Sequence, residues 1–174
     1  MDKQRTIFDR MIGAARFDVP TYEEVEANES LTGQAAIVVL IAAVASGIGG
    51  FNEGGDGIII GVVAALFSWL VWAGITYLIG DKLLKGTATW GELLRTLGYA
   101  QAPAVLLVLG IIPFPLFGGL LAAVVGIWLL GTGIVAIRQA LDFDTGKAIL
   151  TAFLGWLAAV AIPRLIIGSA LINW

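Results

Sequence analysis

Five long apolar segments, separated by short polar links, dominate the chain from residue 32 onward. The apolar runs cover about 32–50, 57–80, 96–112, 117–137 and 148–172. A helix needs roughly 20 apolar residues to cross a bilayer, so each run is close to one crossing in length. The pattern therefore predicts an all-α fold, a polytopic membrane protein built as a bundle of five transmembrane helices.

The third run is the shortest, because only about 16 of its residues are fully apolar and Pro103 interrupts them. At 1.5 Å per residue they cover roughly 24 Å, against a hydrocarbon core of about 30 Å. A re-entrant third segment, with four full spans, is therefore the alternative. The helix that leads into this run should begin near Trp90, because Thr89 and Glu92 have the spacing of a capping box.

Basic residues fall on one side of this predicted bundle. Of the ten Lys and Arg residues, nine lie in the N-terminal tail or in the links 81–96 and 138–147, whereas the links 51–56 and 112–116 have none. The positive-inside rule then places the N-terminus in the cytoplasm and the C-terminus outside. A re-entrant third segment would move the 138–147 link outside, so the charge count favours five spans.

The chain divides into a charged cytoplasmic tail over residues 1–30 and a membrane domain over residues 31–174. Apolar residues recur at helical spacing over residues 7–15 and predict an amphipathic segment. Such a helix could lie on the membrane surface or pack on the protein's own cytoplasmic face. Thr21 and Glu24 have capping-box spacing and predict a second short helix that begins near Thr21.

Small residues recur at every fourth position in two of the predicted spans. One stripe consists of Gly57, Gly61 and Ala65, and the other of Gly118, Ala122 and Gly126. Small residues allow transmembrane helices to approach closely. We expect each stripe to form a helix-packing contact within the chain, and a homodimer face is the alternative.

Composition leaves few groups for catalysis or metal binding. The chain is 59% hydrophobic and 13% charged, with no histidine and no cysteine. These absences exclude thiol nucleophiles, disulfides, the commonest general base and the usual zinc ligands. Asp142 and Asp144 are interpreted as a solvated cap of the fifth helix, with Asp144 as the N-cap residue. We expect no catalytic residue, no metal site and no cofactor.

Arg164 is the one charged residue inside the last apolar run. Its position predicts an anchor at the outer boundary, with the guanidinium in the headgroup layer. Glu53 and Asp56 are the acidic residues on the outer side and are its possible ionic partners. The alternative is a charge that lines an ion path, because charges within membranes are often functional.

The segment 89–103 reads Thr-Trp-Gly-Glu-Leu-Leu-Arg-Thr-Leu-Gly-Tyr-Ala-Gln-Ala-Pro. It resembles the Yip-domain family, membrane proteins of the Ypt-interacting-protein type, which carry Gly-Tyr-x-x-x-Pro at the start of the third span. Gly98, Tyr99 and Pro103 match that motif, and the resemblance covers roughly 30–172. Eukaryotic members bear an Asp-Leu-Tyr-Gly-Pro-like element near the first span that this chain lacks, so the resemblance implies the prokaryotic branch.

The resemblance implies a non-enzymatic integral membrane protein, in the cytoplasmic membrane of a prokaryote. We therefore expect a scaffold or accessory subunit that works through helix–helix and lipid contacts in the bilayer. Its expected partners are membrane lipids and either another membrane protein or further copies of the chain, and not nucleic acid. The alternative function is a small transporter or channel, which could act as a homo-oligomer, and an intramembrane enzyme ranks third.

Overall fold

The computed structural model describes residues 5–50, 58–114 and 116–172, with the side chains of the last helix described as far as Ala158. These residues form seven α-helices and no strand. The α-helices are α1 Ile7–Ala15, α2 Val19–Ala27, α3 Thr32–Gly49, α4 Ile58–Tyr77, α5 Trp90–Tyr99, α6 Phe117–Ala140 and α7 Thr145–Ile172. A 3₁₀ turn Glu29–Leu31 leads into α3, a π-helical segment Leu78–Leu83 extends α4, and a 3₁₀ helix Ala102–Ile111 follows α5.

Within the described residues, four helical stretches are long and apolar enough to cross a membrane. They are Glu29–Gly49, Ile58–Leu83, Trp90–Ile111 and Phe117–Ala140. The described part of α7 adds a shorter apolar helix, Thr145–Ala158. The all-helical membrane architecture predicted from the sequence is therefore confirmed.

The third predicted span is not one continuous α-helix. α5 ends at Tyr99, and the 3₁₀ helix Ala102–Ile111 begins after a two-residue break. A 3₁₀ helix rises about 2.0 Å per residue, so its ten residues cover roughly 20 Å instead of the roughly 15 Å of an α-helix. The wider rise compensates for the short apolar run that suggested a re-entrant segment.

The 3₁₀ helix lies between α3 and α6, and its backbone touches that of α3 directly. A Cβ atom on Gly49 would stand 1.9 Å from the Leu107 carbonyl oxygen, and one on Gly110 would stand 3.0 Å from the Gly49 carbonyl oxygen. Only glycine fits at position 49, and a side chain at position 110 would press on the backbone of Gly49. α4 packs against α3 and α5, and α7 packs against α6 and α4.

α1 and α2 fold back onto α5 and α6, and we call these two helices the N-terminal cap. Tyr22 and Val25 of α2 and Ala14 of α1 are fully buried there. Of the two expectations for the amphipathic segment, packing on the protein itself is confirmed for this face of α1. The opposite face of α1 remains exposed at Phe8 and Ile12.

The second short helix, predicted to begin near Thr21, is present, but its N-cap is not Thr21. α2 begins at Val19, and its N-cap is Asp18, whose Oδ2 accepts a hydrogen bond from the Thr21 backbone N–H at 3.2 Å. Pro20 fits in the first turn because a residue there has no partner for its N–H in any case. The predicted cap at Asp144 is confirmed, since its Oδ1 accepts from the Lys147 backbone N–H at 3.0 Å.

Candidate functional site

Gly98 brings α5 into direct contact with α3. A Cβ atom at Gly98 would stand 2.9 Å from the Cβ of Ala35 and 3.2 Å from the Ala35 carbonyl oxygen. Both distances are shorter than ordinary contact. Gly98 therefore packs directly against a neighbouring helix.

Tyr99, the next residue, joins a polar cluster beneath the N-terminal cap. Its hydroxyl donates to Oε1 of Gln34 at 2.9 Å, and Nη1 of Arg10 donates to the same oxygen at 3.3 Å. The Arg10 guanidinium also donates through Nε and Nη2 to Oε1 of Glu24, at 2.9 and 2.6 Å. We call Arg10, Glu24, Gln34 and Tyr99 the inner cluster.

The inner cluster holds the cap in position and leaves little capacity for a ligand. The Arg10 side chain is only 8% exposed, and the second oxygen of Glu24 accepts from Nη1 of Arg5 at 3.0 Å. Breaking a buried ion pair by removing one partner typically costs about 3–5 kcal/mol. The cluster therefore fixes α1, α2, α3 and α5 relative to one another.

Arg95 makes a second connection between the cap and the bundle. It is only 4% exposed, and its Nε donates to the carbonyl oxygens of Val25 and Glu26 at 3.0 and 3.1 Å. Its Nη2 also donates to the Glu26 carbonyl, and its Nη1 to Oγ1 of Thr32 at 3.4 Å. The arginine thus supplies hydrogen-bond donors to the C-terminal carbonyls of α2, which lack partners within their own helix.

At Pro103 the hydrogen bonding changes from α to 3₁₀. The Ala104 N–H donates to the Gln101 carbonyl at 2.9 Å and no longer to that of Ala100. The Ala100 carbonyl instead accepts from the hydroxyl of Thr132 on α6 at 2.8 Å. The carbonyl that this change leaves without a helical partner is therefore satisfied within the fold.

One carboxyl group of the cap has a pKa in the neutral range. The pKa of Glu26 is raised from its ordinary 4.5 to about 7, first by partial burial and then by nearby negative charges, against the opposing charge of Arg95. Those charges belong to Glu92, Asp142 and Glu23. Glu26 therefore changes its ionisation near neutral pH, next to the carbonyl that Arg95 binds.

A large apolar cleft opens between the helices. Its volume is about 1510 Å³, and residues of α3, α4, α5, the 3₁₀ helix, α6 and α7 line it. Its few polar side chains include Ser46, Ser68 and Gln101. Phe67, Phe153 and Trp156 line the cleft and are more than half exposed, so it opens toward the lipid side of α4 and α7.

Residues of both predicted small-residue stripes line this cleft. Gly61, Ala65 and Gly126 are among the lining residues. No atom of another element lies within 4 Å of a Cβ position at Gly61 or Gly126, and Ala122 is exposed. Gly118 is partly buried near the start of α6. The described stripe residues thus leave space between the helices, and at Gly61 and Gly126 no close contact within the chain forms.

Several predicted site residues lie outside the described part of the structure. They are Gly57, Glu53, Asp56 and the side chain of Arg164. Their predicted roles in packing and in anchoring the last helix stay predictions.

Sequence reasoning missed the residues that make the closest contacts. Gly49 and Gly110 belong to no four-residue stripe, and Arg10 and Arg95 looked like ordinary charges of the tail and of a link. A signal for Arg95 was present, because it lies on the same face of the predicted helix as apolar residues that must be buried.

The comparisons with known proteins agree with this architecture. The sequence profile of the Yip1 domain matches residues 18–168, from the N-cap of α2 into α7. No curated protein and no solved structure matches the chain. The profile covers most of the chain, including all four helical stretches that can cross a membrane, and the chain therefore belongs to the Yip1 domain family of membrane proteins.

Proposed function

We propose that this protein is a non-enzymatic scaffold or accessory subunit that receives a transmembrane helix of a partner protein in its apolar cleft. The observation that carries the proposal is the cleft itself, lined by small residues of α4 and α6 that face space. Small residues are the usual contact surface between membrane helices, because they let two backbones approach. Gly61 and Gly126 would take that role toward a partner.

The size of the cleft fits this occupant. A helix about 10 Å across has a cross-section of roughly 80 Å². A volume of about 1510 Å³ would then hold roughly 19 Å of helix, or about 13 residues. That length is a large part of the hydrocarbon core, which is about 30 Å thick. A single helix is therefore a sufficient partner.

The lining does not favour the alternative function of a small transporter or channel. A path for ions or polar solutes needs polar groups that replace water along its length. Ser46, Ser68 and Gln101 are spread over a predominantly apolar wall. A partner helix or acyl chains suit that wall better.

The proposed arrangement has five spans, with α7 as the fifth, a cytoplasmic N-terminus and an outer C-terminus. Residues 1–30 would be the cytoplasmic tail and residues 31–174 the membrane domain, in the cytoplasmic membrane of a prokaryote. The distribution of basic residues supports this orientation. Reporters that are active on only one side of the membrane, fused to Met1 and Trp174, test it. Signal from both ends on the same side would contradict five spans.

The experiment for the cleft uses substitutions that fill it. Gly61→Trp and Gly126→Trp each add a large side chain where nothing lies within 4 Å. Gly119→Trp is the matched control, because Gly119 also has nothing within 4 Å but does not line the cleft. The tagged protein is purified from native membranes, and the stoichiometry of every co-purifying protein is measured.

We expect a membrane protein in fixed ratio with the parent and with Gly119→Trp, and its loss from both cleft variants. Retention of the partner by the cleft variants would contradict docking in the cleft. A pure homo-oligomer that survives all three substitutions would contradict the accessory-subunit function and support the oligomeric alternative.

A further inference from the structure

The exposed face of α1 has no protein covering it within the described residues. Phe8 is 64% exposed and Ile12 is 52% exposed, and the two lie one helical turn apart. Phe17, just after the helix, is 43% exposed. Ile12 and Phe17 line the same surface hollow, and Phe8 precedes Ile12 by one turn on the same face of α1; we call these three side chains the α1 patch.

Contacts with α6 set the depth of this patch. The Nε1 of Trp128 donates to the carbonyl oxygen of Ala15, the last residue of α1, at 2.7 Å. The ring of Phe17 lies directly over Gly131, with Cε1 2.9 Å from where a Cβ would stand. Phe17 takes a left-handed backbone conformation, with φ of 61°, which such a residue rarely adopts unless its contacts hold it there.

Trp128 lies near the middle of α6, a helix of 24 residues that is long and apolar enough to span the membrane. At 1.5 Å per residue the helix is about 36 Å long, and Trp128 is roughly 17–18 Å from either end. Thr132, one helical turn beyond Trp128, already meets the cap, because its carbonyl oxygen accepts from the Tyr22 hydroxyl at 3.3 Å. The C-terminal end of α1 therefore packs against a helix that is long and apolar enough to span the membrane, next to the charged residues of the cap.

Arg16 supplies a charge beside this patch. It is exposed, lines the same hollow of about 770 Å³ as Ile12 and Phe17, and forms no ion pair among the described residues. The two carboxylates of that hollow have other roles, because Asp9 accepts from Thr6 at the start of α1 and Asp18 caps α2. A long arginine side chain can lie along apolar surface while its guanidinium reaches the headgroup layer.

We propose that α1 is an interfacial helix, with Phe8, Ile12 and Phe17 among the acyl chains of the adjacent leaflet and Arg16 bound to the phosphate of an anionic lipid. The helix is amphipathic and carries a basic residue at its membrane edge, which is the pattern of interfacial helices. Its other face packs on α2 and on the helix bundle. The membrane and the bundle thus hold α1 from opposite sides.

Depth is measured with single-cysteine variants, which are simple here because the chain has no cysteine. Phe8→Cys and Ile12→Cys are labelled with a nitroxide in bilayer nanodiscs that contain phosphatidylglycerol. Collision rates are compared for oxygen, which concentrates in lipid, and for a water-soluble nickel chelate. Ile127→Cys is the lipid-facing reference, with Ile127 72% exposed on α6, and the exposed Ala27→Cys at the end of α2 is the aqueous reference.

We expect both α1 labels to favour oxygen, as the label on Ile127→Cys does. Labels that respond to the nickel chelate like Ala27→Cys would overturn the proposal, because the face would be in water. Labels that are shielded from both reagents would overturn it too, because protein and not lipid would then cover the face.

The phosphate contact is tested by titrating short-chain phosphatidylglycerol into the purified full-length protein in neutral detergent, with thermal unfolding as the readout. Arg16→Gln should raise the apparent dissociation constant about fivefold, the effect of one basic residue at a charged membrane surface. Lys85→Gln is the control, because it removes one exposed positive charge from the link after α4, away from α1. Equal effects of the two substitutions would contradict a site at Arg16. Neither experiment depends on a partner in the cleft.

Discussion

Replacing Gly98 with alanine adds one carbon atom at a close contact between α5 and α3. The new Cβ would stand 2.9 Å from the Ala35 Cβ and 3.2 Å from the Ala35 carbonyl oxygen. Two carbon atoms attract best at about 3.5–4.0 Å, so the gap is short by roughly 0.6–1.1 Å. Neither opposing atom is the end of a flexible side chain, so relief requires a shift of α3 or α5.

The expected cost follows from overpacking of a close-packed interface. One extra methyl group in such a place typically costs about 1–3 kcal/mol, and a leucine at Gly98 should cost more. Helix propensity works in the opposite direction, because alanine is better than glycine inside a helix by about 1 kcal/mol. Gly61→Ala isolates that second effect, since nothing lies within 4 Å of its new Cβ.

Thermal unfolding in detergent, followed by far-ultraviolet circular dichroism, measures the difference. For a soluble domain of similar size, 1 kcal/mol changes the melting temperature by about 2–4 °C. We expect Gly98→Ala to melt lower than the parent and Gly61→Ala to melt at the same temperature or higher. The double variant Ala35→Gly/Gly98→Ala should recover part of the loss, because it removes the Cβ–Cβ contact and keeps the contact with the carbonyl oxygen. Identical melting of Gly98→Ala and Gly61→Ala would refute the packing argument.

The remaining predictions concern the cap and the break in the third span. Glu26→Gln should stabilise the protein by about 1 kcal/mol at pH 8 and have little effect at pH 4.5. The folded-state pKa of Glu26 is about 7, above the ordinary 4.5, so the parent loses stability as the pH rises through that interval. The same difference in melting temperature between parent and variant at both pH values would contradict this. Arg95→Gln should cost about 2–4 kcal/mol, because two α2 carbonyls lose a buried charged donor, and proteolysis should then release the cap before the bundle unfolds. Thr132→Val should cost about 1–2 kcal/mol through the Ala100 carbonyl, whereas Thr151→Val, whose hydroxyl bonds only within its own helix, should change the melting temperature little.

The sequence predicted what depends on local patterns. The capping box of Thr89 and Glu92 is present, with the Thr89 N–H donating to Oε2 of Glu92 at 2.6 Å. α3 and α6 begin at Thr32 and Phe117, as their apolar runs indicated. These features are decided within a few residues along the chain, so the spacing of residue types is enough to find them.

The candidate site could not be predicted in the same way, because its contacts join distant parts of the chain. Arg10 meets Gln34 from 24 residues away, and Tyr22 meets the Thr132 carbonyl from 110 residues away. A four-residue stripe shows which face of a helix is small, but not whether another helix lies against it. Gly61 was therefore predicted to be a packing residue, but it faces the cleft. Gly49 belongs to neither predicted stripe, but it touches the backbone of a neighbouring helix.

The 3₁₀ form of the third span also determines how that segment turns around its own axis. Three residues complete a turn, so every third side chain points in the same direction. Leu106 and Leu109 are exposed positions one turn apart, while Leu107 and Gly110 are on the side that meets Gly49. The exposed row thus runs parallel to the axis and does not drift around it as it would on an α-helix. Tolerance to polar substitution in this segment should accordingly rise and fall with a period of three residues, and a single inserted residue should turn everything beyond it by about 120°.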